Sequence, residues 1–206
     1  MFTGLVQAVG SIAAVSPTPT GVRLTIDPGS WPHRPALGDS ISVSGVCLTV
    51  AALPSPNRWA FDAVPETLAK TTLGRHKPGD CVNLEHAVTA NTLMGGHFVQ
   101  GHVDGVGVVG AVQQGSDWRL TVTPPADVLP FLAPKGSITI DGVSLTIAAL
   151  TPDSLTVALI PTTLSLTTLG SLKPGDGVNI EADMLAKTVV NYLRHFTGTV
   201  TDTPGR

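Results

Sequence analysis

The two halves of this 206-residue chain repeat one another, and this duplication limits its possible folds more than any other feature. Residues 41–50 (ISVSGVCLTV) match residues 138–147 (ITIDGVSLTI), an offset of about 97 residues. Solenoid proteins repeat every ~20–50 residues, whereas a unit of this length is a small domain. The sequence therefore predicts two similar domains, at residues 1–97 and 98–186. Three further runs recur in order: TTLG at 71–74 and 167–170, KPGD at 77–80 and 173–176, and VNLE or VNIE at 82–85 and 178–181.

The composition favours many short strands joined by turns. Charged residues make up only 13% of the chain, which also contains 22 glycines and 17 prolines. A net charge of −3 with no basic block argues against nucleic acid or an anionic membrane as a partner. No apolar run is long enough to span a membrane, and the N-terminus lacks the positive start of a signal peptide. Because Cys47 and Cys81 are too few for a disulfide framework, we expect a reduced, cytoplasmic protein.

Alternating apolar and polar residues predict β-strands in both halves. Residues 22–26 alternate strictly and end at a turn, and residues 119–123 do the same before two prolines. The Asp141-Gly142 pair between two further apolar runs is typical of a β-hairpin. Because no long helical period separates the strands, we predict an all-β chain with a closed antiparallel barrel in each half. Pro65 and Pro161 each indicate the start of one short helix.

The end of the chain has a helical pattern with no counterpart after the first repeat. From Glu181 to Phe196 apolar residues recur at helical spacing, with acidic residues early and Arg194 and His195 late, which suits the helix dipole. We predict a C-terminal α-helix over residues 181–197 and a tail over 198–206. The apolar stripe of this helix packs either on its own barrel or between subunits, and the sequence leaves both open.

Two motifs that suggest other functions fail in their context. GVGVVG at 105–110 matches the dinucleotide-binding fingerprint, but a strand follows it where the fingerprint needs a helix, so we assign it to the first strand of the second barrel. His97 and His102 would point to opposite faces of a continuous strand and could not share a metal ion. With no third ligand at suitable spacing, we predict no metal site. His102 lies among glycines, where a ligand can approach closely.

The clearest difference between the repeats lies in their shared Gly-Val-X-Leu-Thr unit. X is Cys47 in the first copy and Ser144 in the second, and a threonine, Thr49 or Thr146, follows two residues later. A buried cysteine is usually a small apolar residue, but a small polar group here in both copies favours a wall that contacts a ligand. Similar pockets with unlike polar groups suit two molecules of one ligand in two roles.

Over nearly its whole length the chain resembles riboflavin synthases of the alpha-subunit type. The resemblance is carried by MFTGLV at 1–6, SGVCLTV at 44–50, GGHFVQGHVD at 95–104, DGVSLT at 141–146 and both TTLG runs. It implies two similar six-stranded antiparallel Greek-key barrels and a C-terminal helix that assembles a homotrimer. It places the active site between the first barrel of one subunit and the second barrel of its neighbour, and it implies no metal ion and no cofactor.

The implied activity is a dismutation of 6,7-dimethyl-8-ribityllumazine. Two molecules bind in each active site, and a four-carbon unit passes from one to the other, which gives riboflavin and 5-amino-6-(D-ribitylamino)uracil. The protein is then a transferase of riboflavin biosynthesis, and lumazine synthase is a candidate partner. The alternative is a non-catalytic lumazine- or flavin-binding protein of the same fold, such as a fluorescent antenna protein.

The resemblance also implies the site residues, position by position. The first lumazine site comprises Gly4, Leu5, Val6, Cys47, Leu48, Thr49, Asp62, Ala63, Val64, Pro65, Glu66 and Thr67. The second comprises Gly101, His102, Val103, Lys135, Ser144, Leu145, Thr146, Ala158, Leu159, Ile160, Pro161, Thr162 and Thr163. The reaction centre is lined by Phe2, Ser40, Cys47, His102, Asp141, Ser144 and Thr146. We expect Cys47 and His102 to face different substrates, one the donor and one the acceptor.

One residue departs from the family pattern. The family has Pro-Glu-Thr-Leu in both repeats, but the second here reads PTTL at 161–164, which puts a charge-based role of Thr162 in doubt. Antenna-type relatives are expected to have lost reaction-centre residues in one barrel. This chain keeps Cys47, His102, Asp141 and Ser144, which favours the enzyme.

Overall fold

Two closed six-stranded barrels follow one another along the chain in the computed structural model, which describes residues 1–196. The first consists of β1 (Ala8–Thr18), β2 (Gly21–Asp27), β3 (Ser40–Val43), β4 (Val46–Ser55), β5 (Arg58–Ala63) and β6 (Cys81–His86). The second consists of β7 (Gly105–Gln113), β8 (Arg119–Thr123), β9 (Ser137–Ile140), β10 (Val143–Leu150), β11 (Leu155–Ala158) and β12 (Gly177–Ala182). The predicted boundary at residue 97 falls between β6 and β7.

Both barrels have the same strand order and are antiparallel throughout. Around the first barrel the order is β1-β2-β5-β4-β3-β6, and the order around the second, starting from β7, is equivalent. In each barrel three hairpin-linked strands are joined by a fourth that returns beside the first of them, which is a Greek key. The predicted fold class is therefore confirmed, and so is the place of the GVGVVG motif in β7.

Local sequence accounts for the turns between these strands. Ser44 and Asp141 both have φ of +45° and are followed by a glycine with positive φ, as two-residue hairpin turns require. The hairpin predicted at Asp141-Gly142 is confirmed, since β9 and β10 flank it. Proline at the first helical position begins α1 (Pro65–Lys70) and α2 (Pro161–Leu166), as predicted.

The two barrels pack against each other along a seam with approximate two-fold symmetry. The Asn83 side chain on β6 donates to the carbonyl of Asp141 (2.9 Å) and accepts from the amide of Thr168 (2.8 Å). The Asn179 side chain on β12 makes the matching bonds, to the carbonyl of Ser44 (2.8 Å) and from the amide of Thr72 (2.7 Å). The seam thus buries polar side chains on the outer faces of both barrels. Every one of these four bonds joins one barrel to the other.

The C-terminal helix, α3 (Met184–Phe196), begins three residues later than predicted. Glu181 lies in β12, where it pairs with Thr139. This pairing with β9 closes the barrel, so the helix begins only after it. The apolar residues Leu185, Val189, Tyr192 and Phe196 are exposed, so the stripe does not pack on its own barrel. Residue 197 and the predicted tail 198–206 lie outside the described residues. Within residues 1–196, no helix combines the length and apolar character needed to cross a membrane.

Candidate active site

The repeated polar positions lie on equivalent strands of the two barrels. In the first barrel Leu48 is buried in the core, while Cys47 is half-buried and Thr49 is exposed on the outer face of β4. In the second barrel Ser144 is half-buried and Thr146 is exposed on β10. Each barrel therefore presents one short polar wall outward, with a thiol in one and a hydroxyl in the other.

The segments that lead into each barrel line the wall of the other barrel. The carbonyl of Gly4 accepts a hydrogen bond from the amide of Ser144 (2.7 Å), and the carbonyl of Gly101 accepts one from the amide of Cys47 (2.9 Å). Both glycines have positive φ, +75° and +77°. A Cβ at either position would lie 2.6 Å from the Cβ of Ser144 or Cys47, so only glycine fits this approach.

This exchange differs from the grouping of residues that the sequence suggested. Val6 packs against the core of the second barrel and Val103 against the core of the first. Within one chain, residues 4–6 therefore belong with Ser144, and residues 101–103 belong with Cys47. The predicted grouping of Gly4-Leu5-Val6 with Cys47, and of His102 with Ser144, differs from this placement within one chain, and the substrate that each segment meets stays a prediction. Sequence order cannot show this placement because the repeat matches are the same for swapped and unswapped segments.

His97 is a functional candidate that the sequence did not indicate in this role. Its Nδ1 lies 2.7 Å from the Ser144 hydroxyl and its Nε2 lies 3.3 Å from the Thr139 hydroxyl. Burial lowers the pKa of the His97 imidazole, which favours the neutral ring. The preceding Gly96 brings the backbone against Ser144, because a Cβ there would meet the Ser144 side chain at 3.0 Å. A neutral imidazole can accept a proton from Ser144 or orient its hydroxyl.

Phe2 and His102 flank the Cys47 wall in different ways. Phe2 is fully buried and exchanges two backbone hydrogen bonds with Val99, at 2.7 and 3.1 Å. Its ring lies behind Gly101, since a Cβ on that glycine would be 3.0 Å from Phe2 Cε2. His102 is exposed beside the same wall. The expectation that Cys47 and His102 face different substrates therefore does not fit their placement within one chain.

Asp141 lies in the seam between the barrels. One oxygen of its side chain accepts a hydrogen bond from the amide of Asn179 (2.8 Å), and the residue lines a cavity of about 540 Å³ between the barrels. Burial raises the pKa of the Asp141 carboxyl to about 7. These contacts give Asp141 a place in the inter-barrel structure. Its role in the reaction centre stays a prediction.

The remaining predicted residues differ in burial, and many of them lie near the ends of strands. Asp62 lies near the end of β5, beside Arg23. Both N···O distances between them are 2.7 Å, and the bonds from Arg23 lower the pKa of the Asp62 carboxyl. Val64 and Ile160 occupy matching places before α1 and α2, and both are exposed. Lys135 is exposed as well. Ser40 is half-buried opposite Thr49 in the β3–β4 ladder. The remaining positions are exposed at Pro65, Glu66, Ala158, Pro161 and Thr162, half-buried at Thr67, Leu145 and Thr163, and buried at Ala63 and Leu159.

Neither wall is enclosed by residues 1–196 of the chain that carries it. Apolar side chains such as Val64 and Ile160 are exposed beside polar ones, so a ligand bound at either wall would be covered on one face only. In residues 1–196 no group of three or more His, Cys, Asp or Glu side chains is arranged to hold a metal ion. The chemistry available at these walls is that of hydroxyl, thiol, imidazole and carboxylate groups.

Comparison with known proteins gives a family model for both halves of the chain and relatives of matching length. A family model described as the lumazine binding domain matches it twice, over residues 3–87 and 100–183. The riboflavin synthase of Mycobacterium tuberculosis (strain H37Rv) is 41% identical over 198 residues, which cover 94% of this chain and 98% of the relative. The riboflavin synthase of Brucella abortus is 42% identical over 200 residues, which cover 95% and 99%.

Solved structures with the same fold include complexes of LumP. LumP bound to 6,7-dimethyl-8-(1'-D-ribityl) lumazine superposes with a TM-score of 0.76 at 27% identity, covering 88% of this chain and 99% of LumP. LumP bound to riboflavin gives a TM-score of 0.78 at 29% identity with the same coverage. Two barrels of one fold, two matches to one domain model and relatives of matching length agree. The chain belongs to the lumazine-binding-domain family, among relatives that are riboflavin synthases.

Proposed function

We propose that this chain is a riboflavin synthase that converts two molecules of 6,7-dimethyl-8-ribityllumazine into riboflavin and 5-amino-6-(D-ribitylamino)uracil by transfer of a four-carbon unit. The observation that carries this proposal is the pair of equivalent walls with unlike polar groups. One wall offers Cys47 with His102, and the other offers Ser144 with His97. Two identical substrates in unequal roles need such a pair. The riboflavin synthase relatives support an enzyme of riboflavin biosynthesis, and the transferase chemistry is our finer proposal.

Each active site is proposed to form between the first barrel of one subunit and the second barrel of another. Both walls face outward, and the described part of the chain does not cover them, which is the arrangement that a shared site needs. The exposed apolar stripe of α3 supplies a surface for assembly into a homotrimer. Two substrates stacked between such barrels are held in a fixed relative orientation, which can contribute roughly 7–11 kcal/mol to lowering the barrier.

The residues at each wall are proposed to assist proton transfer. The 7-methyl protons of the substrate are acidic because the carbanion is delocalised into the lumazine ring. A neutral His97 can take a proton through the Ser144 hydroxyl, while His102 can act beside Cys47. Assistance of this kind is typically worth about 10²–10⁴-fold. No step in this scheme requires a metal ion or a redox cofactor.

The second candidate is a non-catalytic ligand-binding protein of the same fold. It is favoured by one observation, that structures of LumP with a lumazine and with riboflavin superpose on most of the chain. We favour the enzyme because its relatives named as riboflavin synthases are more similar in sequence, at 41–42% identity. A reduced, cytoplasmic setting accords with the two free cysteines.

The test is to incubate the purified protein with 6,7-dimethyl-8-ribityllumazine and record riboflavin absorbance. We expect one riboflavin formed for every two lumazines consumed, together with two ligand sites per chain in a binding titration. The matched comparison is the His97→Phe variant. It keeps an aromatic ring but removes the partner of Ser144, so it should lose the assistance to proton transfer at that wall. One tight site per chain and no riboflavin over hours would establish the non-catalytic alternative.

A further inference from the structure

Two buried glutamates occupy equivalent places on the last strand of each barrel and take no part in the chemistry proposed above. Glu85 on β6 is 3% exposed and Glu181 on β12 is 2% exposed. Burial raises the pKa of both carboxyls, and the N–H groups that bond to them oppose that rise. Because a carboxylate in such a place needs compensating donors, its partners show which segments it holds.

Both carboxylates hold the backbone of a short irregular segment from two sides. Glu85 accepts from the amide and hydroxyl of Thr3 (2.6 and 2.7 Å) on one oxygen and from the amide of Gly4 (3.0 Å) on the other. Glu181 accepts from the amides of Gln100 (2.8 Å) and Gly101 (3.0 Å), one on each oxygen. In both cases two successive N–H groups are fixed by one planar group.

Each segment that is held in this way lines the site of the opposite barrel. Gly4, bonded to Glu85 of the first barrel, accepts from the amide of Ser144 in the second barrel. Gly101, bonded to Glu181 of the second barrel, accepts from the amide of Cys47 in the first. One glycine therefore links a glutamate in one barrel, through its N–H group, to the reactive wall of the other barrel, through its carbonyl.

We infer that Glu85 and Glu181 are crossed positioning residues, each of which fixes the wall of the substrate site on the other barrel. The inference rests on the proposed function for the identity of the ligand, but the geometry that it predicts can be measured without turnover. A loss of Glu181 should disturb Cys47, and a loss of Glu85 should disturb Ser144. A merely structural role would disturb the glutamate's own barrel at least as much.

Glutamine is the informative substitution because it preserves size and planarity. Both carboxylate oxygens face N–H donors, so an amide satisfies one of them and turns its own N–H₂ group toward the other. Matched controls are Asp80→Asn and Asp176→Asn. These carboxylates accept from the amides of Lys77 (2.8 Å) and Lys173 (2.7 Å) in the turns just before β6 and β12, away from either wall.

The first experiment measures the reaction rate of the Cys47 thiol with dithiobis(nitrobenzoate) in a Cys81→Ser background. The thiolate attacks the reagent's disulfide, forms a mixed disulfide and releases one thionitrobenzoate, which is counted by absorbance. Loss of one charge-assisted bond predicts a rate about tenfold faster in Glu181→Gln. Glu85→Gln should change the rate by less than Glu181→Gln, although Glu85 and Cys47 both pair with Ser42, because the Cys47 amide bonds to Gly101, which Glu181 holds. The two aspartate controls should stay within about twofold of the background. An equal or larger effect of Glu85→Gln overturns the inference.

The second experiment follows amide hydrogen exchange and keeps the inference testable if the glutamine variants fail to fold. Glu181→Asp retains the charge but shortens its reach, and it should speed exchange at the Cys47 amide without changing the Ser144 amide. Glu85→Asp should do the reverse, and the opposite pattern refutes crossed positioning.

Steady-state riboflavin formation then separates this inference from the proposed function. We expect kcat/KM to fall about tenfold in each glutamine variant, with KM rising in at least one of them. A crossed exchange pattern in a protein that forms no riboflavin would reject the proposed function and leave the positioning intact. Uncrossed exchange patterns in a protein that does form riboflavin would reject crossed positioning and leave the proposed function intact.

Discussion

The two barrels are alike where they touch and unlike where they face outward. At the seam, Asn83 and Asn179 make the same pair of bonds, and Glu85 and Glu181 hold equivalent segments. At the outward walls, by contrast, Cys47 of the first barrel corresponds to Ser144 of the second, and the ion-paired Asp62 corresponds to Ala158. The contacts that occur in both copies hold the two barrels of the chain together. The unequal ones leave each site free to take its own role in the reaction.

One difference breaks this rule, and it lies in the seam itself. Ser44 in the first barrel accepts a hydrogen bond from the amide of Asn83 (3.2 Å), and Asp141 in the second accepts the matching bond from the amide of Asn179 (2.8 Å). A neutral hydroxyl and an ionisable carboxyl thus accept the same backbone hydrogen bond in the two barrels. The comparison between the barrels can therefore be tested both where they match and where they diverge.

The largest expected effect tests the symmetry of the seam. Asn83→Ala leaves the buried carbonyl of Asp141 and the amide of Thr168 without partners, and Asn179→Ala does the same at the equivalent groups. Each substitution should lower the free energy of unfolding by about 5 kcal/mol, since each unpaired buried group costs about 1–3 kcal/mol and the lost bonds add to this. Urea denaturation of the full chain measures the change, with the exposed Asn57→Ala as control. A gap of more than about 2 kcal/mol between the two variants would show that the seam is not symmetric.

The next effect concerns pH and arises only in the second barrel. Because burial raises the pKa of Asp141 from 3.8 to about 7, its contribution to stability is fully present below pH 3.8 and is lost as the pH rises through 7. Asp141→Asn keeps an acceptor for Asn179 and cannot ionise. Relative to the unsubstituted protein, its free energy of unfolding should therefore rise between pH 4 and pH 8, by up to about 4 kcal/mol.

A gain-of-charge variant provides the control for this pH effect. Ser44→Asp places a carboxyl at the equivalent position of the first barrel, where it should introduce a second loss of stability over the same pH range. If Asp141→Asn and the unsubstituted protein follow parallel stability curves from pH 4 to pH 8, the Asp141 carboxyl does not titrate in the seam as its burial requires.

A third, smaller effect compares the exchanged segments. His102 beside Cys47 and Leu5 beside Ser144 occupy matching places, but only the histidine can carry a proton. His102→Gln should reduce the single-turnover rate of riboflavin formation about 100-fold. Leu5→Gln should reduce the same rate by less than about tenfold. Equal losses in both variants would mean that this position acts through contact alone.

The sequence predicted the contacts that are local in the chain and missed those that cross between barrels. The hairpin at Asp141-Gly142 and the helices at Pro65 and Pro161 depend on neighbouring residues, and all three are confirmed. The exchange of residues 4–6 and 101–103 depends on packing between domains, which the repeat pattern in the sequence does not show.

The start of the last helix is a different case, because a local pattern in the sequence does mark it. The sequence placed Glu181 in the helix, but the Val-Asn-Ile-Glu run alternates apolar and polar residues, which is the signature of a strand. The same run in the first repeat, VNLE, ends in Glu85 within β6. Comparing the two copies would have moved the boundary. What no pattern could supply is the reason why both glutamates are buried.

The smallest expected effect asks whether an outward difference belongs to the scaffold or to the site. Asp62 is bonded to Arg23 by two 2.7 Å contacts, whereas the second barrel has Ala158 at the same place, paired with Arg119 in the ladder. Both partners of the ion pair are 42% exposed, and exposed pairs contribute little to stability because water and salt screen them. Asp62→Ala should therefore leave the urea midpoint unchanged within error while weakening lumazine binding at the first barrel, as measured by fluorescence titration. Arg23→Ala serves as the matched control, since it removes the same ion pair but leaves the carboxylate free to meet the ligand. A fall in the midpoint equal in both variants, with binding unchanged, would assign this difference between the barrels to folding and not to the reaction.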